Sequence, residues 1–440
     1  MERYKKLLLI AILGGVGRGV QSPPPCEGAK LSNGLGQAGD GYGFSAAIFA
    51  DTAVIGAPWE SAPYELSGAV LIYNRVAGGW SPFGTFALPE GNGAGAGRAL
   101  SIAGATIAFG TTWYVGVLES MSGAWELVAQ LAPDDFSFSQ QFGTAISITA
   151  DTIVVGARND DIRGFRSGAA YVFERDANGA WRQMAKLFAD DGGQQQHFGW
   201  ALAIDGDTVV IGAPDDDDLG NYSGSAYVFE RDSEGWVQQD KLLPHDGLGF
   251  WRFGRAVTVN GNRALVSAIG AAVGAPNSGA VYVFERLPQG GWVETAQLVP
   301  DDIENSDFFG IAVDLEGDVA LIGSENAAVA ADESGAAYIF HRQPDGSWEQ
   351  VAKIGAADGA FDDRFGSSLA LSGTTALIGA YQDDDHGEDS GSAYFFSVSP
   401  DADGDGVMDA CEPLRPTDAT AGAPRPAGAA ADKPPAPRDP

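Results

Sequence analysis

A Phe-Gly pair recurs along this 440-residue chain at positions 142–143, 198–199, 253–254, 309–310 and 365–366. Weaker copies stand at Tyr42-Gly43 and Ala96-Gly97. The marker glycines at 43, 97, 143, 199, 254, 310 and 366 lie 54, 46, 56, 55, 56 and 56 residues apart. Self-similarity at such a period means one supersecondary unit repeated seven times, each unit burying its apolar faces against its neighbours.

The unit opening at Phe198 shows what is repeated. Residues 200–204 form an apolar run, and Asp205-Gly206-Asp207 is a turn. Residues 208–211 are β-branched and end in Gly212-Ala213-Pro214; residues 225–230 and 236–242 complete the unit. Four short β-branched or aromatic segments separated by Gly, Asp and Pro read as four strands. The second is apolar without alternation, as expected of a sheet covered on both faces. Radial stacking of four-stranded sheets supplies that cover and leaves only short edges. The expected fold is therefore all-β: a seven-bladed propeller of four-stranded antiparallel blades over residues 27–398.

The seventh unit stops at Tyr394-Phe395-Phe396 without a Trp-containing fourth strand. Elsewhere the fourth strand ends in Leu or Ile twelve residues before the next marker glycine, as at Leu187/Gly199 and Leu242/Gly254. Leu31 stands at the same distance from Gly43, and Ala29-Lys30-Leu31 matches Ala185-Lys186-Leu187. The N-terminal strand is thus expected to complete the last blade and close the ring. The second unit, 97–131, lacks a Tyr-Val-Phe strand and departs furthest from the pattern.

These residues resemble FG-GAP repeats, such as those of the integrin alpha-chain propeller, and more closely those of exported bacterial FG-GAP proteins. The shared features are the Phe-Gly marker, Gly-Ala-Pro at 56–58 and 212–214, and the Tyr-Val-Phe-Glu-Arg strands. The resemblance implies a propeller that binds protein or glycan ligands at a cell surface or in matrix. Integrin-type propellers also hold calcium between the first two strands of late blades. Here those turns, such as Asp205-Gly206-Asp207 and Asn260-Gly261-Asn262, are two- to three-residue hairpins, too short to wrap a cation.

Residues 1–22 read as a signal peptide: Arg3, Lys5 and Lys6 precede an apolar run from Leu7 to Val16, then small and polar residues. About ten apolar residues cannot span a hydrocarbon core of roughly 30 Å as a helix, and no later stretch is long and apolar enough to do so. The expected product is secreted, extracellular or surface-associated, and monomeric. With 26 Lys+Arg against 59 Asp+Glu the formal net charge is −33, which repels phosphate and argues against a nucleic-acid partner.

The acid concentrates in the long connections, between second and third strands and between blades. Asp160, Asp161, Asp215, Asp216, Asp217, Asp218, Asp383, Asp384 and Asp385 lie there with Tyr222 and Trp251. Loops on a rigid scaffold are where binding residues collect, so these eleven are the candidate ligand-binding residues; the bland alternative is a solvated, solubilising surface. Past the propeller, residues 399–412 contain Asp401, Asp403, Asp405, Val407, Asp409 and Glu412, with Gly406 at the sixth position. This is the spacing of an EF-hand calcium loop. Lacking flanking helices, it resembles thrombospondin type 3 loops, and Ca²⁺ in a structural role is expected. Cys26 and Cys411 bracket the propeller, and in an exported chain a disulfide between them would lock the ring; the alternative is two unpaired thiols. Residues 413–440 are Pro- and Ala-rich and are expected to be disordered.

Catalytic patterns are sparse. His197, His245, His341 and His386 occupy different positions in their units, with no metal-binding spacing and no nucleophile elbow. The expected function is a non-enzymatic exported binding or adhesion propeller. The alternatives are a secreted polysaccharide-degrading propeller enzyme and a structural part of a surface assembly.

Overall fold

The computed structural model describes residues 27–32, 37–61, 66–77, 79–88 and 94–398. The signal peptide, both cysteines, the 399–412 loop and the tail lie outside the described residues. Seven four-stranded antiparallel sheets form the blades. Blade 4 shows the plan, with strands Leu202–Asp205, Thr208–Ala213, Ser225–Asp232 and Gly235–Leu242. Blades 1, 2, 3, 5, 6 and 7 begin at Ser45, Leu100, Phe142, Phe253, Val313 and Phe365. In blade 7 the strand Glu27–Ser32 pairs antiparallel with Ser392–Ser397, so the N-terminal strand closes the ring as the spacing predicts. No helix among the described residues is long and apolar enough to cross a membrane.

The core lies between blades. Each of seven apolar clusters draws on two neighbouring blades, including one where blade 7 meets blade 1. There Trp80 of blade 1 stacks on Phe395 of blade 7 at 4.3 Å. The Phe of the marker feeds these clusters. Phe198 is buried edge-on to Tyr227 and Phe229 at 5.4 and 5.9 Å. The adjoining Gly permits close approach: at Gly254, with φ of +88°, a Cβ would lie 2.2 Å from the Ser225 carbonyl oxygen of the preceding blade. The repeated motif is thus an inter-blade joint.

Blade 2 is complete, with strands Leu100–Ala103, Thr106–Gly110, Val115–Met121 and Ala124–Leu131. The aromatic missing from its third strand has moved across the pair. Where blade 3 sets Val155 opposite Tyr171, blade 2 sets Phe109 opposite Gly116. A Cβ on Gly116 would lie 2.1 Å from the Phe109 ring, which packs in the same cluster as Ala96.

Candidate functional site

Long connections gather on one face of the ring, and their buried acid is spent on internal bonding. In blade 4, Lys241 Nζ lies 2.6, 3.0 and 2.5 Å from Asp191, Asp216 and Asp218. The Tyr227 hydroxyl lies 2.8 Å from Asp216 and 3.0 Å from Asp191. Burial raises the Asp216 carboxyl pKa, but Ser225, Lys241 and Tyr227 outweigh it and leave it below the usual range. Blade 7 repeats the arrangement, with Lys30 among Asp358, Asp383 and Asp385 at 2.7, 2.9 and 2.5 Å. In blade 3, Lys186 reaches Asp135 and Asp160 at 2.6 and 2.9 Å. An ammonium group therefore occupies the centre of each acidic cluster.

These contacts correct the expectation that every acidic loop residue faces a ligand. Asp160, Asp216 and Asp383 are buried and hydrogen-bonded within their blades. Trp251 is only 7% exposed and packs beside Ala271 in the core between blades 4 and 5. It stands where Gln140 and Gln196 hydrogen-bond the buried Asp of blades 3 and 4. Asp161, Asp217, Asp218, Asp384 and Asp385 are exposed, and Asp215 is half-buried. Asp161 and Asp383–Asp385 belong to blades 3 and 7, apart from the remainder, so the eleven residues do not converge on one site.

Two adjoining hollows form where blades 4, 5 and 6 meet. Asp215, Asp217 and Tyr222 line a hollow of about 240 Å³ with Gln194, Gln195 and Asn221. Tyr222 lies 5.9 Å from the Phe250 ring, and Phe250 borders a second pocket of about 440 Å³. The wall of this pocket includes Trp200, Arg252, Arg255, Asn277, Phe308 and Glu325. Tyr222 and Phe250 are 41% and 63% exposed. The Arg252 guanidinium approaches Asp215 at 3.8 Å, linking the two hollows, and His197 Nδ1 lies 2.7 Å from the same carboxylate. Trp200 is flanked by the Arg158 and Arg255 guanidiniums at 4.1 and 5.0 Å. Burial lowers the Arg255 pKa to about 10; Glu325 opposes this, while Arg158 and Arg252 add to it.

Trp200, Arg252 and Arg255 flank marker Phe-Gly pairs, and positions next to that pair start the innermost strand facing the ring axis. That repeat position is the signal in the sequence, and the abundance of loop acid masks it. The other histidines stand elsewhere: His245 bonds Glu294 at 2.6 Å, His341 is in the third strand of blade 6, and His386 is exposed in a blade 7 loop. Among the described residues no three His, Cys, Asp or Glu are grouped so as to hold a metal ion. The proposed calcium ligands, Asp401 to Glu412, lie outside them.

A closed antiparallel propeller whose blades are joined through a Phe-Gly backbone contact defines a repeat class in which fold and motif are one feature. The FG-GAP repeat matches residues 27–73, 125–173, 181–229, 236–284, 292–340 and 348–396, and the chain belongs to that family. Each match runs from a fourth strand through the third strand of the next blade, so the first match counts Glu27–Ser32 as a fourth strand. The unmatched 74–124 holds the altered first three strands of blade 2. A solved structure of a protein from Lactobacillus plantarum is similar at 13% identity, over 72% of this chain and 86% of that one, with a TM-score of 0.46. No curated protein matches.

Proposed function

We propose that this propeller is an exported, non-enzymatic binding module that engages a protein or glycan ligand through the blade 4–6 sector of its long-loop face. The observation behind this reading is the pair of adjoining hollows bridged by Tyr222 and Phe250, two solvent-facing aromatics on a rigid ring. Concave sites with aromatic walls and a few fixed polar groups are the usual form of a ligand site, and an exposed aromatic on such a scaffold is available for recognition. Calcium at the 401–412 loop would act as a structural support at the end of the propeller.

The test is retention of the secreted chain on a panel of polysaccharides and matrix proteins, with and without calcium, scoring released products as well. Retention without products, reduced in a Tyr222→Ala/Phe250→Ala variant of unchanged melting temperature, is expected. New sugar ends would make the protein an enzyme and overturn the reading.

A further inference from the structure

We infer that the inner pocket bounded by Trp200, Phe250, Arg252, Arg255, Asn277 and Phe308 receives the carboxylate of an acidic sugar, a uronic acid unit of a polysaccharide. This rests on the binding role proposed above for the same sector.

The first argument is charge. In a chain of net charge −33, outer bases find carboxylates easily: Arg175, Arg231, Arg263 and Arg286 each lie 2.6–2.8 Å from one. Arg98, Arg158 and Arg255 have none within 4.0 Å among the described residues, although they are close enough to affect one another. Burial lowers the Arg158 pKa and Arg98 lowers it further, against the opposing charge of Asp215. Arg252 and Arg255 line the pocket and Arg158 lies beside its Trp200; like-charged guanidiniums in this partly desolvated mouth repel, and an incoming anion relieves that repulsion. Arg252, half-exposed, stands at the rim.

Geometry is the second. The Trp200 indole packs against the Arg158 and Arg255 guanidiniums at 4.1 and 5.0 Å, and a planar guanidinium fork held in place matches a carboxylate in bidentate fashion. Little ordering is then left for the ligand to induce. Glu325 is the pocket's carboxylate; burial raises its pKa, against the pull of Arg364 and Arg255, which weakens its opposition to an anion.

The third separates a sugar from an extended acidic peptide. Most main-chain donors of the wall are already used. Phe250 N donates to Asn221 O at 2.7 Å, Arg252 N to Tyr222 O at 3.0 Å, Gly270 N to Trp251 O at 3.0 Å and Phe308 N to Asn277 O at 3.3 Å. Strand-wise docking of a peptide needs free backbone groups, and here the wall offers side chains. Guanidiniums, two phenyl rings and the Asn277 amide suit a compact ring bearing a carboxylate, an apolar C–H face and hydroxyls. A volume of about 440 Å³ accommodates such a unit.

The test is calorimetry on the full chain with oligogalacturonate and oligoglucuronate, their carboxyl-reduced neutral counterparts, and polyglutamate. At least one oligouronate is expected to bind, with the reduced form weaker by about tenfold or more. Arg255→Gln and Arg252→Gln should each weaken binding by a similar factor. Because Arg252 is at the rim, that variant keeps the test valid if Arg255→Gln lowers the melting temperature. Undiminished binding of the reduced oligomer, or full affinity in both variants, overturns the anion site. If Tyr222→Ala still abolishes retention in that case, the binding face itself survives. No binding of either oligouronate overturns the inference, and arginine-dependent binding of polyglutamate instead overturns the choice of sugar.

Discussion

Tyr222 and Phe250 hold φ of +54° and +70°, and Arg252, Asn277 and Phe308 each hold +53°. Side chains other than glycine pay roughly 1–2 kcal/mol for the left-handed region. On the opposite face the corresponding conformation falls mostly to glycine, as at Gly261 with φ of +60°, with Ala50 and Ser122 as exceptions. On the long-loop face the same conformation recurs at the position matching Tyr222 in other blades, at Leu66, Arg166, Glu333 and Asp389, so the repeat and not the side chain imposes it. Tyr222→Gly is therefore expected to leave the melting temperature unchanged or raise it slightly, while lowering ligand retention. A fall in both would mean that the ring serves packing alone. Asp363 makes a second residue-scale case. Burial, then Asp383 and Asp384, push its pKa up to about 6, against a hydrogen bond from Ala360 N and the charge of Lys30. Between the ordinary 3.8 and about 6 the folded chain holds this proton more firmly than the unfolded one. Stability therefore falls as pH rises through that window. Asp363→Asn keeps an acceptor for the Ala360 N–H and cannot ionise. It should raise stability at pH 7 by up to about 3 kcal/mol, a gain that vanishes near pH 4 in pH-resolved thermal melts.

Blades show how one element tolerates different chemistry at matched positions. Blade 4 uses Gln196, Asp216, Asp218 and Lys241; blade 5 has Trp251, Ala271, Val273 and Gln297 in their places. Both keep a linker carboxylate on the third-strand tyrosine, Asp191 at 3.0 Å from Tyr227 and Asp246 at 2.8 Å from Tyr282. Blade 5 thus fills with Trp251, Ala271, Val273 and Gln297 the volume where blade 4 places Gln196 and the charged Asp216, Asp218 and Lys241. Lys241→Gln alone strands Asp216 without its cation and is expected to cost about 2–4 kcal/mol, less than a fully buried pair because Asp191 and Asp218 are half-exposed. Adding Gln196→Trp, Asp216→Ala and Asp218→Val should recover most of that loss, a coupling that denaturant melts of the single, triple and quadruple variants measure. Recovery in the triple without Lys241→Gln would contradict the pairing. The same comparison shows what was legible. Strand order and the closing strand follow from Leu31, Leu187 and Leu242 standing at one fixed distance from the marker glycine. The fate of the loop acid does not, because Asp216 and Asp217 are adjacent in sequence and identical in type, and only the third-strand tyrosine and fourth-strand lysine decide which is buried. Blade 2 was obscure because Phe109 and Gly116 exchange volume across a strand pair, a compensation that no linear motif carries. Arg252 and Arg255 have no motif of their own, and only the ring brings them beside Trp200 and Arg158.

At the scale of the whole molecule, one six-residue strand completes the seventh joint. Glu27–Ser32 pairs with residues 392–396 and puts Ala29 and Leu31 against the cluster that holds Trp80 and Phe395. It also delivers Lys30 to three carboxylates contributed by the other end of the propeller. Backbone pairing, apolar contact and charge at this joint therefore depend on the same segment. Lys30→Met removes only the charge; with Asp383 buried and Asp358 and Asp385 half-exposed, the expected loss is about 2–3 kcal/mol. Deleting residues 27–32 removes all three contributions and opens the edge of Ser392–Ser397, so the melting temperature should fall further than for Lys30→Met. Limited proteolysis should then cut first in blade 7. The proposed binding sector lies in blades 4 to 6, away from this joint, so retention measured well below the melting temperature should weaken far less than stability. Equal melting temperatures for the deletion and the point variant would mean that the lysine, not strand closure, is what the N-terminal segment contributes.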